Sequence, residues 1–458
     1  MKIVWRSPAR TLLFLMSFAC ASAAHAAPAA RSAARDSASL DRSLAATTAV
    51  PWNPPDATAR RTMWERVVLA PGRVASLPLS GLGLLTNRVL LYGEDTGRIP
   101  TSAAPNQAQI KSSGLTIGPP ALGGRAGIGA AAQFRQPILD DRLRVDLVAR
   151  YAGTLRNYNG TRLTAEGRPL ALQYGVDWRP EEHFYGIGPQ SASQNLSDYA
   201  LHSEFLRATL SRERRPPSGE PLERTAVGIW TEARNDVLSP GREAGVVSTN
   251  VRFPELGPTT LGSRVEHLNY GTSFTIDRRS GNPHWSRGAR LLVSAERHDD
   301  PVRALALRVG SPQGVAFNRY MIETETGFSF RRDPRTVRLY ARVLNQSADA
   351  SRMLPSDMAT LGGPSGLSGF ATGRFHDSDL LLTRASYIYP IGRRLEMDLH
   401  SEWGAVYPNV WTDATLRGLE HSVGTSMRVH FGVAPVARAG IDWSREGARL
   451  NFAVGGIQ

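Results

Sequence analysis

The sequence predicts an all-β fold, a transmembrane antiparallel β-barrel with a short N-terminal leader outside the barrel. Three observations carry that prediction: an export signal at the start, the lack of any later apolar run long enough for a membrane-spanning helix, and a change to period-two alternation from about Gly127 onward.

The export signal comprises Lys2, Arg6 and Arg10, an apolar run over 12–19, and Ala24-His25-Ala26 immediately before Ala27. A basic start, a short apolar core and an Ala-x-Ala site together read as a secretory signal peptide, residues 1–26, and the destination is the bacterial outer membrane. Cys20 is the single cysteine and falls inside that signal, so the mature chain is expected to use neither disulfides nor thiolate metal sites. Ser17 stands where a lipoprotein signal needs an aliphatic residue, which argues against lipidation.

Hydrophobic residues make up 41% of the chain and its formal net charge is +13, nearly all from arginine, since the lysines are Lys2 and Lys111. Export separates the chain from nucleic acid, and its arginines are scattered. They read as solvated lumen and loop positions with a minor role toward anionic lipid head groups.

Residues 27–110 read as a disordered leader, rich in Ala, Ser, Arg, Thr and Pro without periodicity from Ala27 to about Ala59. It includes one short amphipathic helical stretch carrying Leu82, Leu85, Val89 and Tyr92. The barrel is assigned to 111–458. Leu143, Val145, Leu147, Ala149 and Tyr151 alternate with Arg142, Arg144, Asp146 and Arg150. Leu170, Leu172, Tyr174, Val176 and Trp178 alternate with Ala171, Gln173, Gly175 and Asp177, and Val337, Leu339, Ala341 and Val343 with Arg338, Tyr340 and Arg342. Leu395, Met397, Leu399 and Trp403 alternate with Glu396, Asp398, His400 and Glu402. One apolar and one charged face per strand fit a closed sheet with lipid outside and a polar lumen. A soluble sandwich would show shorter strands and fewer arginines.

Residues 361–370, Leu-Gly-Gly-Pro-Ser-Gly-Leu-Ser-Gly-Phe, form a glycine-dense loop. Five strand-like stretches follow it, near 380–389, 393–406, 421–433, 436–445 and 447–457, with tight turns at Pro390-Ile391-Gly392 and Ala434-Pro435 and a long connection from Ala405 to Glu420. From this loop to the C-terminus the chain resembles the BamA/TamA superfamily of surface-antigen barrels. Asp379-x-x-x-x-Arg384, Tyr387-x-Tyr389-Pro390 and Glu402-Trp403-Gly404-Ala405-Val406 extend the resemblance, and Phe184-Tyr185-Gly186-Ile187-Gly188 carries it weakly into the earlier half.

The resemblance implies sixteen strands, whereas alternation alone falls one or two short of that between Arg252 and Val315. It also implies a loop between strands eleven and twelve that folds into the lumen, with Gly362, Gly363, Leu367, Ser368, Gly369 and Phe370 as its motif. A barrel-only member of this superfamily, with no room for periplasmic client-docking modules, is expected to act in insertion or translocation of a protein or lipid client. Its partners would be outer-membrane lipid and, during biogenesis, the barrel assembly machinery. The alternative is a passive pore or a structural surface antigen.

Two departures qualify the resemblance. Ser368 stands where the family has an arginine that ties the loop to an acid on strand thirteen; here parity puts Glu402 at that acid, and Arg374 is the candidate substitute for the arginine. At the chain end Leu450, Phe452 and Val454 share the outward face, and Gln458 takes the slot of the usual terminal aromatic recognised during assembly.

No enzyme, cofactor or metal is expected. Gly127-x-Gly129-x-x-Ala132 mimics a dinucleotide fingerprint but reads as strand packing, because no helix pattern follows. His400 and His430 read as isolated lumen histidines, and no Gly-x-Ser-x-Gly motif appears.

Overall fold

The computed structural model describes residues 114–118, 129–138, 143–152, 158–167, 169–216, 222–256, 264–280, 287–299, 315–329, 335–363, 366–391, 395–431 and 434–454. The signal peptide, the leader with its amphipathic stretch, Ser365 and Gln458 lie outside the described residues.

Among the described residues sixteen strands form the wall, the first of five residues and the others of eight to eighteen. They are β1 (Gly114–Gly118), β2 (Gly129–Ile138), β3 (Leu143–Ala152), β4 (Tyr158–Gly167), β5 (Leu170–Phe184), β6 (Ser197–Arg214), β7 (Arg224–Pro240) and β8 (Arg264–Asp277). The second half comprises β9 (Gly288–Asp299), β10 (Phe317–Ser329), β11 (Thr336–Gln346), β12 (Asp379–Pro390), β13 (Leu395–Tyr407), β14 (Glu420–Phe431), β15 (Ala434–Ser444) and β16 (Gly447–Val454). Each pairs antiparallel with the next from β1 to β16, with register shifts at Arg179/Glu182 and Val429/His430. The alternation overlooked β8 and β9, which supply the strands missing from the sequence count. The turn expected at Ala434-Pro435 lies earlier: both residues are already in β15, with Phe431 opposite Ala434.

Burial in the strands is the reverse of that in a soluble protein, and this makes the fold a membrane barrel. The apolar residues of the alternating stretches face outward and are open, Leu147 at 43%, Leu172 at 46% and Ile229 at 50% exposure. Their neighbours Asp146, Arg150, Asp177 and Asp236 point inward and are buried. Only a lipid surround makes such an outer girdle favourable, and the ladder pairs the backbone groups that lipid cannot hydrate.

The inward arginines are paired more than solvated, which corrects the sequence reading. Arg135 meets Asp146 at 2.7 Å, Arg150 meets Asp177 at 2.8 Å, Arg279 meets Glu325 at 2.8 Å, and Arg384 meets Asp398 at 3.0 Å. Charges withdrawn from water need partners of opposite sign, so many of the inward arginines stand in cross-strand ion pairs lining the lumen.

Connections alternate in length around the wall. Among the described residues the long connections 185–196 and 408–419 lie at one end of the wall, the end at which the chain leaves β11 and enters β12. By the asymmetry of such barrels the long-loop end faces outward from the cell.

Replacing Leu147, mid-strand on the lipid face, by Arg is expected to cost about 2–4 kcal/mol of unfolding free energy in phospholipid vesicles, with a much smaller loss for Gln173→Arg on the lumen face. Equal losses in the two variants would contradict the assignment of faces.

Candidate functional site: a loop locked into the lumen

The loop 347–378 between β11 and β12 turns inward and docks on two apolar patches of the lumen wall. Where the wall is otherwise charged, β12 and β13 present Leu380, Leu382 and Val406 inward, and Leu361, Leu367, Phe370 and Phe375 of the loop pack onto them. Opposite, Met353, Leu354 and Met358 pack with Phe184, Tyr199, Leu201, Leu238, Val265 and Phe317 from β5 to β8 and β10. Burying these side chains drives the loop into the barrel, at about 1.5–3 kcal/mol for each large one fully buried.

Backbone geometry explains the glycines. Gly362 has φ +115°, and a Cβ there would collide with the carbonyl of Ala371. A Cβ on Gly369 would lie 2.8 Å from the Trp443 backbone and 2.9 Å from the Ser422 hydroxyl, so only glycine lets the loop approach β14 and β15 this closely. Leu367 has φ +61°, unusual for a residue with a branched side chain, and is completely buried. The strain of that backbone is held by the apolar pocket and sets the direction of the next residue, Ser368.

Ser368 is the anchor. Its backbone N–H donates to Glu402 Oε2 at 2.6 Å, and its hydroxyl oxygen lies 2.8 Å from that same oxygen, 2.8 Å from Asp442 Oδ1 and 3.3 Å from His400 Nε2. A hydroxyl has one proton, so it serves one carboxylate, and the His400 Nε2–H, 2.6 Å from Asp442 Oδ1, serves the other. Arg384 reaches the second Glu402 oxygen at 3.3 Å. Asn451 donates to Asp442 Oδ2 at 2.6 Å and to the carbonyl of Ser368 at 3.0 Å. Gly369 adds bonds of 2.8 Å with Ser422 and Ser444. Loop, β12, β13, β14, β15 and β16 thus share one buried polar network.

Glu402 faces the lumen, and the loop residue that bonds it is Ser368 itself. Arg374 is not the substitute partner. Two per cent exposed, it donates to Glu446 Oε1 in the β15–β16 turn at 2.7 Å, and to the hydroxyl and carbonyl of Ser191 in the β5–β6 connection at 2.9 and 2.6 Å. The cause is reach: Arg374 follows the turn that carries the chain back toward the opposite wall, where Tyr185 lies under its guanidinium at 5.0 Å. Next to it, Gly188 donates to the carbonyl of His376 at 2.8 Å, so the Phe184–Gly188 segment is a landing site for the loop.

His400 is no isolated lumen histidine, since it joins the anchor; the side chain of His430 lies outside the described residues. Asp442, Asn451, Ser191 and Glu446 escaped the sequence reading, because each is an ordinary polar residue whose role depends on a loop distant in sequence. Ser368, His400 and Asp442 have the residue types of a hydrolytic triad without its geometry. Here Nε2 donates to the aspartate and cannot also accept the serine proton as a base. On β16, Leu450 and Phe452 are exposed on the outer face, Phe452 at 72%, while the side chain of Val454 lies outside the described set.

Comparison with known proteins gives structural similarity alone. No family model matches the chain, and no curated protein matches it. Among solved structures it is similar to BamA from Haemophilus ducreyi lacking POTRA domains 1–3, at 11% identity and a TM-score of 0.47, over 74% of this chain and 69% of that one. It is also similar to CdiB from Escherichia coli, at 7% identity and a TM-score of 0.46 over 74% of this chain and 61% of that one. For CdiB from Acinetobacter baumannii the identity is 11% and the TM-score 0.40, over 74% and 64%. The chain spans less than two thirds of either CdiB.

Ser368→Ala is expected to lower unfolding free energy by about 1.5–3 kcal/mol, the contribution of a hydrogen bond to a charged group. An unchanged value in vesicle unfolding would contradict the anchor.

The loop also has a pH response. Burial, with Asp379, Asp349 and Asp413 nearby, pushes Asp377 up to about 6, while burial holds His376 down at about 3 and so neutral at working pH. An acid with its folded value raised stabilises the seated loop fully below its ordinary value near 3.8, and this contribution disappears as pH rises through about 6. Hydrogen-exchange protection factors of the loop, which divide out the intrinsic pH dependence of amide exchange, are therefore expected to be higher at pH 5 than at pH 8, with the difference reduced in Asp377→Asn. An identical pH response in that variant would exclude Asp377 as its source.

Proposed function

We propose that this protein is an outer-membrane barrel for insertion or translocation of a protein or lipid client, without enzymatic activity, and that its 347–378 loop is the element that controls the lumen. The observation that carries the reading is the Ser368 network with Glu402, Asp442 and His400, which fastens a plug across the barrel instead of leaving a standing channel.

An internal plug held by hydrogen bonds and two apolar docks suits a lumen that opens for a client and closes again. The resemblance of the closing strands to the BamA/TamA superfamily supports the same reading. The exposed outer girdle supplies the lipid contact, and Leu450 and Phe452 on β16 suit recognition by the barrel assembly machinery while the chain itself is being inserted. The client is a macromolecule or lipid of the envelope; nucleic acid has no part.

Two measurements test this. Deleting the gene and quantifying the outer-membrane and secreted proteome is expected to deplete one or more clients; unchanged levels of every protein and lipid would overturn the reading. In planar bilayers the purified barrel is expected to be nearly silent, and Gly362→Ala, which unseats the loop, to conduct. A steady, weakly selective current from the unaltered protein would favour the passive pore.

A further inference from the structure

At the outer end of β7 and β8 a second point of attachment for the loop has the composition of a metal site. Asp236 on β7, His267 on β8 and Asp357 on the loop are all buried, and one ligand atom from each lies within 4.8 Å of the other two, the one such group of three among the described residues. We propose that these residues bind a first-row divalent cation, Zn2+ or Mn2+, which staples the loop to the barrel wall.

Unpartnered ligand atoms carry the argument. His267 Nε2, on a side chain 4% exposed, and Asp236 Oδ2, on one fully buried, have no hydrogen-bond partner. Leaving both so inside a protein is costly. His267 Nε2 faces Asp357 Oδ2 at 3.7 Å, too far for a hydrogen bond. That separation suits two ligands of one ion, because bonds of about 2.1 Å in a tetrahedron place ligand atoms about 3.4 Å apart.

Two other atoms of these residues are engaged in bonds that hold the groups in place. Asp236 Oδ1 accepts from the Ser203 hydroxyl and from Arg234 Nε, and the carbonyl of Asp357 accepts from Arg319 at 2.7 Å and Gln346 at 2.9 Å. The local charge admits a cation. Asp236, Asp357, Glu232 and Glu296 face Arg207, Arg234 and Arg319, four negative groups against three positive, with His267 neutral as a ligand. One imidazole with two carboxylates favours Zn2+ or Mn2+ over the oxygen-seeking Ca2+ and Mg2+, and leaves a coordination position for water. Because Asp357 belongs to the loop, the ion would be enclosed as the loop seats, and its loss would release the loop on the side away from Ser368.

The folded full-length barrel, dialysed against chelator and then titrated with Zn2+ by calorimetry and metal analysis, is expected to take up one equivalent and to unfold at a higher temperature when loaded. His267→Ala and the isosteric Asp236→Asn and Asp357→Asn are expected to lose that equivalent, whereas His421→Ala, which removes an exposed histidine on β14, retains it. Circular dichroism and heat-modifiable electrophoretic mobility check that each variant is folded. No stoichiometric Zn2+ or Mn2+ uptake by the unaltered barrel, or uptake unchanged in the folded His267 and Asp357 variants, would overturn the proposal.

Discussion

The structure depends on satisfying carboxylates that the membrane forces inward. Lipid outside admits apolar side chains, so most acids on the strands face the lumen, Glu204 beside the outward Tyr174 being an exception, and once the lumen is narrow the inward acids lose bulk water. Across most of the wall arginines from neighbouring strands meet them. Around Glu402 and Asp442 that supply falls short: Arg384 reaches one oxygen of Glu402, and among the described residues no arginine hydrogen-bonds Asp442. The hydroxyl and backbone of Ser368 and the imidazole of His400 complete the set. The plug is thus held by the same electrostatic requirement that builds the wall.

This explains why serine can stand where an arginine is expected. An arginine brings its own charge into the lumen and spans a gap with a long side chain. Here the strained Leu367 backbone and the glycine approach at Gly369 bring the main chain itself against β14 and β15, leaving space for a short hydroxyl and little else. The charge from the loop is placed elsewhere, at Arg374, where it joins the β5–β6 connection to the β15–β16 turn.

Much of the fold was legible because period-two alternation is a local property. The stretches 143–151, 170–178 and 337–343 declare an outward face by spacing alone. The strands β8 and β9 were not legible, since Gly271, Thr272 and Ser273 in β8 and Ser294 and Ala295 in β9 dilute the contrast between faces. Of the site, the loop and Glu402 were visible as a glycine cluster and as strand parity. Asp442 and Asn451 were not, because what marks them is proximity to residues 74 and 83 positions earlier in the chain, at Ser368. Leu380 and Leu382 offered a signal that went unused: apolar residues on both faces of β12 mark a place where something other than water covers the lumen side.

The partners of Arg374 have a consequence for how the molecule is made. Its guanidinium joins Ser191, 183 residues before it, to Glu446, 72 residues after it. Contacts so distant in sequence form late, once chain closure has been achieved by other means. The β15–β16 turn exists only after the final hairpin has added to the sheet, so the loop cannot complete its seat in an unfinished barrel. The contacts of the loop with β15, β16 and their turn therefore form only once that hairpin is in place, after the apolar docks on the earlier strands are available.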